Sequence, residues 1–188
     1  MRRLLACALM LFAFAGAAGA AENGTTSLYN LEAPLRGQDA REIGLDVYRG
    51  HPVMITMFYG SCPMACPLII DTMRAIERDL DARQRADLRV LMVSIDPRRD
   101  TPRALAELAK TRRIDTTRWT LAQADEATVR KLAATLGIQY RELPSGEFSH
   151  ASIITVLDGR GELLGQSTEL GRADPKLLEV LRRAGHLK

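Results

Sequence analysis

Cysteine, histidine and aromatic residues are scarce in this 188-residue chain. It holds three cysteines, three histidines and one tryptophan, and aromatics make up 5% of it. No stripe of basic residues interleaved with aromatics occurs, so a nucleic-acid surface is not expected. The scattered arginines read as solvated helix faces. There is no internal repeat, and no low-complexity tract beyond the first twenty residues. The central candidate for chemistry is one short stretch, "YGSCPMACPL", with Cys62 and Cys66 four apart and each followed by proline.

The N-terminus sets the compartment in which those thiols work. Arg2 and Arg3 form a basic start, Leu4 to Phe14 an apolar run, and "AGA" at 18–20 offers small residues at a cleavage position. This reads as a secretory signal peptide over residues 1–20, cut after Ala20. The alternative is an uncleaved inner-membrane anchor, for which the run is close to the lower limit of about 17 residues. "LLAC" at 4–7 has the look of a lipobox, but no apolar run precedes it. Cys7 leaves with the signal, and Cys62 and Cys66 remain in a periplasmic protein, where disulfides persist. The formal charge of +3 drops by two when Arg2 and Arg3 are removed. What is left is long enough for one domain that buries roughly 70% of its unfolded surface.

Apolar patterning then alternates along the chain. Residues 21–42 are polar and weakly patterned, a flexible lead-in to a domain over 43–188. "PVMITMFY" (52–59) and "LRVLMVSID" (88–96) read as buried strands, and "RWTLAQA" as a short third. After Pro67, Leu68, Ile69, Met73, Ile76 and Leu80 fall on one helical face. A second helix starts at "DTP", with Asp100 or Thr101 as cap and Pro102 near its first position. A third runs from Asp125 to a stop at Gly137. "HASIITVLDGRGELLGQST" reads as two strands around a tight turn. A last helix takes Asp174 as cap, Pro175 at its first position and Gly185 after its end. The order predicts an α/β fold of thioredoxin type, a central mixed sheet with helices on both faces.

Cys62 and Cys66 fall between the first strand and the first helix. The residue before a proline avoids helical geometry, so Cys66 is expected at the N-cap with Pro67 next. A thiol there meets the positive helix end, which favours thiolate. A two-residue spacer would be a redox signature. The three-residue spacer leaves open a metal clamp, a redox dithiol or an inert staple. The staple is the weakest reading, because so short a loop leaves little entropy to remove. Of the histidines, His51 begins the first strand and so lies at the far edge of the sheet. His186 suits a helix C-terminus. His150 opens a later strand. If that strand runs antiparallel to the first, His150 comes beside the cysteines. Two thiolates and an imidazole make a set that suits copper. Zinc would ask for a fourth protein ligand, and none has comparable placement. Met64, between the cysteines, offers a soft sulfur, although a methionine on a tight loop is more often there for packing.

"FYGSCPMACP", "VSIDPRRDTPRALAELA", "RWTLAQADEATVRKLAATLGIQY" and "FSHASIITVLDGRGELL" resemble the Sco/SenC family of exported copper proteins, from about Leu45 to Leu181. The resemblance implies a thioredoxin-like fold and one copper per monomer, Cu(I) or Cu(II), held by Cys62, Cys66 and His150. It implies a monomer that touches a membrane protein transiently and delivers copper to the binuclear site of cytochrome c oxidase subunit II or a similar copper protein. Some members act instead as thiol-disulfide oxidoreductases, which would give Cys62 and Cys66 a catalytic redox role. Two positions depart from the family: Met64 and Ser149 stand where acidic residues are common. Asp96 and Asp100 could help to shape the site, although helix capping alone would account for Asp100.

Overall fold

The computed structural model describes residues 27–62 and 65–184. The expected signal peptide, with Cys7, and Met64, Gly185 and His186 lie outside the described residues. Seven strands form the main sheet in the order β2-β1-β5-β4-β3-β8-β9. They are β1 (Leu35–Gly37), β2 (Glu42–Ile43), β3 (Val53–Phe58), β4 (Arg89–Ser94), β5 (Trp119–Gln123), β8 (Ile154–Leu157) and β9 (Leu163–Ser167). A separate two-stranded ribbon pairs β6 (Tyr140–Glu142) with β7 (Phe148–His150). The helices are α1 (Ala65–Arg78), α2 (Ala82–Asp87), α3 (Pro102–Thr111), α4 (Glu126–Leu136) and α5 (Pro175–Ala184).

β3, β4 and β5 run parallel, and β8 and β9 close one side as an antiparallel pair. Every residue of β3 is buried, as are all but the first of β4. Strands so uniformly apolar are stable only with both sheet faces covered, which the helical crossovers between parallel strands provide. The mixed sheet of thioredoxin type is thus borne out. α1 docks through Ile69, Ile70, Met73 and Ile76, all at most 1% exposed; each contributes about 1.5–3 kcal/mol by burial. Leu68, expected on that face, is 41% exposed instead. It belongs to the first turn of the helix, next to Cys66.

The helix boundaries follow their capping chemistry. The Asp125 carboxylate accepts from Thr128 N at 2.7 Å, and α4 stops at Gly137 with φ of +68°. The Asp174 carboxylate accepts from Lys176 N at the start of α5. Thr101, not Asp100, caps α3, accepting from Ala104 N, with Pro102 following.

Residues 28–43 hold regular structure where a flexible lead-in was expected. Leu28–Asn30 form a 3₁₀ turn, and β1 pairs with β5 at Arg36↔Gln123 and Gly37↔Ala122. Polar residues hide this strand because β1 is short and only Leu35 and Gly37 of it are buried. The turn joining β1 to β2 places Ala40 at φ of +64°, a left-handed conformation that a Cβ resists. Ala40→Gly should therefore raise stability by roughly 0.5–1 kcal/mol, net of the greater chain entropy of glycine. A thermal melt should show a gain of about 2–3 °C. An unchanged or lowered melting temperature would mean that the turn carries no such strain. Among the described residues, no helix is long and apolar enough to cross a membrane.

Candidate metal centre

β3 ends at Phe58, and the chain turns through Tyr59, Gly60, Ser61 and Cys62 toward α1. Cys66 is the second residue of α1, with Pro67 third. Cys66 therefore lies two positions further into the helix than the expected N-cap. Proline is tolerated there because the first turn leaves its backbone N–H groups without helical partners anyway. Both cysteines are buried, Cys62 at 9% exposure and Cys66 at 3%.

Cys66 does not behave as the thiolate expected from its place on the helix. Its Sγ–H donates to the Tyr59 carbonyl at 2.9 Å. Burial pushes its pKa well up, and Cys62 close by raises it further. Desolvation of a thiolate 3% exposed outweighs a helix-end effect that is worth about 1 kcal/mol or less at ordinary sites. In this state Cys66 is a neutral thiol.

Tyr59 is the hub that sequence reasoning missed. Its carbonyl takes the Cys66 thiol, and its hydroxyl interacts with Cys62. Burial, with Cys62 adding, pushes its pKa to about 12, so it stays protonated. The ring meets His150 edge-on at 5.8 Å between centroids and Phe148 at 5.5 Å. The signal was present in the quoted stretch: an aromatic residue directly after a buried strand and three before the first cysteine.

His150 arrives from the other side. β8 is antiparallel to β3, with Val53↔Leu157 and Ile55↔Thr155 in register, and Thr56 Oγ1 donates to the Ile153 carbonyl at 2.8 Å. The chain before β8 must therefore pass the end of β3, which brings His150 to Tyr59. It does not open β8, as expected, but closes β7, where it pairs with Tyr140. Its Nδ1 lies 3.3 Å from the Ala151 carbonyl, and its Nε2 is buried with no hydrogen-bond partner. Burial lowers its pKa, favouring neutral imidazole. An orphaned ring nitrogen inside a protein is costly unless something else takes the lone pair. His51, in contrast, sits at the far end of β3, paired with Asp87 at 2.8 Å.

Asp100 shapes the cysteine loop rather than capping α3. Its Oδ2 accepts from Ser94 Oγ at 2.5 Å and from Gly60 N at 2.8 Å. A Cβ at Gly60 would lie 2.6 Å from Asp100 Oδ1, so a larger residue there would have to displace this hydrogen-bonded carboxylate. Ser149 is exposed on β7 opposite Arg141. Two thiols and a neutral imidazole with a vacant lone pair are thus brought to one end of the sheet around one tyrosine. They are not converged: among the described residues, no three His, Cys, Asp or Glu side chains already form a metal cage. The donor set fits a soft metal that also accepts nitrogen, once the Cys66 thiol lets go of the Tyr59 carbonyl.

A mixed sheet with parallel central strands and a cysteine pair at the start of the helix after β3 defines a thioredoxin-like protein. The SCO1/SenC family model matches residues 29–184, and the chain belongs to that family. It is 25% identical over 101 residues to the SCO1 protein homolog of Bacillus subtilis, covering 53% of this chain and 52% of that protein. The aligned stretches span from 30% to 52% of the length of the curated relatives it matches. The fold is similar to that of BsSco, described as having a disulfide switch and as a member of the Sco family of cytochrome c oxidase assembly proteins. The TM-score is 0.68 at 20% identity, covering 82% of this chain and 92% of BsSco. It is also similar to yeast Sco1 with copper bound, with a TM-score of 0.65 at 18% identity, covering 82% and 85% of the two chains.

Proposed function

We propose that this chain is an exported copper-binding protein of respiratory oxidase assembly, which takes one copper per monomer through Cys62, Cys66 and His150. Its target in this reading is the binuclear copper site of cytochrome c oxidase subunit II or a similar copper protein. Family membership supports the reading, and one observation carries it: the buried, unpartnered Nε2 of His150, whose ring packs against Tyr59, the residue that also contacts both cysteines. A dithiol that only exchanges disulfides needs no imidazole. Its attacking sulfur also needs thiolate character, which the buried Cys66 lacks. Two thiolates suffice for Cu(I), whereas Cu(II) asks for nitrogen and higher coordination. The N-terminal residues, read as a signal peptide, support export to the periplasm.

His150→Ala tests this directly. Cu(I) affinity should fall by less than about tenfold, while stable Cu(II) binding and its thiolate-to-copper charge-transfer band should disappear. In cells the variant should fail to support copper loading of the oxidase with its dithiol intact. Unchanged Cu(II) binding and normal oxidase loading would remove His150 from the site and favour the thiol-disulfide oxidoreductase.

A further inference from the structure

Asp96 to Asp100 lie between β4 and α3 and reach both halves of the candidate site. Asp100 holds the cysteine side through Gly60. The histidine side is held by two neighbouring arginines. Arg98 donates to both oxygens of Glu142 on β6 at 2.6 Å. Arg99 donates from Nε to Asp96 Oδ2 and from a terminal nitrogen to the Gly146 carbonyl in the turn of the ribbon. Its guanidinium also sits 5.9 Å from the centre of the Phe148 ring, two residues before His150.

These two arms differ in strength. Arg98 and Glu142 are 60% and 45% exposed, and ion pairs so open to water contribute little. Asp96 is 1% exposed, and its other oxygen, Oδ1, has no partner. Its charge is compensated through Arg99, whose planar fork is thereby held in place to reach Gly146 and Phe148 at the same time. The ribbon has no strand pairing to the main sheet, so its position rests on such side-chain contacts.

We propose that Arg99 is the positioning residue that fixes the β6–β7 ribbon, and with it His150, against the end of β3. The consequence for copper rests on the function proposed above; the effect on the ribbon does not. Arg99→Lys separates the two roles of the side chain. Lysine still neutralises Asp96, but as a point charge it cannot reach the Gly146 carbonyl and cover Phe148 as well. Metal-free Arg99→Lys should keep its melting temperature within about 2 °C, while amide hydrogen exchange over residues 140–150 quickens by roughly tenfold or more. Exchange in β3 and β4 should not change. Arg99→Met combined with Asp96→Asn, which removes the buried charge together with its partner, should give the same local loss. With copper, both variants should lose Cu(II) retention by about tenfold while Cu(I) affinity moves less than about twofold. Unchanged exchange over 140–150 would overturn the proposal. So would faster exchange spread evenly over the sheet, which would make Arg99 a general stability residue. Loosened ribbon amides with unaltered copper behaviour would leave the positioning role standing and count against His150 as a ligand.

Discussion

Copper binding should fall from one ion per monomer to nearly none in Cys66→Ala, and equally in Cys62→Ala. The only other cysteine of the chain is Cys7, in the predicted signal peptide, so no thiol can substitute. Two thiolates supply most of the affinity for Cu(I), and a single thiolate beside one imidazole is a much poorer soft-metal site. Metal analysis of the two purified variants checks this, and full retention in either would dismiss the site. A pH dependence follows from burial. Cys66 is held protonated, its proton directed at the Tyr59 carbonyl. Copper must displace that proton, so apparent affinity rises with pH across the neutral range, and uptake releases protons. Oxidation to a Cys62–Cys66 disulfide should abolish uptake, and a reductant should restore it.

Asp100→Leu should cost about 3 kcal/mol of folding stability, because it strands the Ser94 hydroxyl and the Gly60 N–H in a buried site. For a domain of this size that is a fall of roughly 6–12 °C in melting temperature. The loop carrying Cys62 loses its anchor in the same step, so copper binding should weaken as well. Asp100→Asn keeps an acceptor of the same shape and should cost less than about 1 kcal/mol. Burial raises the carboxyl pKa of Asp100. The folded state therefore prefers the protonated form, and the stability this group contributes is present below its ordinary pKa and is lost as pH rises through the raised value. Asp100→Asn should remove that slope from the stability profile on the acid side. A melting temperature unchanged in Asp100→Leu would mean that the loop is held by other contacts.

Much of this molecule was legible in the sequence, for local reasons. Buried parallel strands leave apolar runs such as "VMITMF", and capped helices leave Asp125, Gly137, Asp174 and Pro102 as markers. Covalent spacing kept Cys62 and Cys66 together wherever the fold placed them. The inference about His150 was conditional on β8 running antiparallel to β3, and the sheet meets that condition.

Other features depended on contacts between distant segments. β1 leaves almost no apolar pattern, because three residues with one side on β5 suffice to extend the sheet. Asp100 has the local look of a cap, yet it turns inward to Gly60, forty residues earlier, where desolvated donors need an acceptor. A helix N-terminus suggests a thiolate at Cys66, but the surrounding core excludes water and reverses that preference. Tyr59, Arg99 and the ribbon bearing His150 meet only after folding. Composition and spacing determined which donors this protein has and which elements carry them. The tertiary structure decided their protonation, their partners and the packing of His150 against Tyr59, because solvent exclusion and long-range hydrogen bonds exist only once the chain has packed.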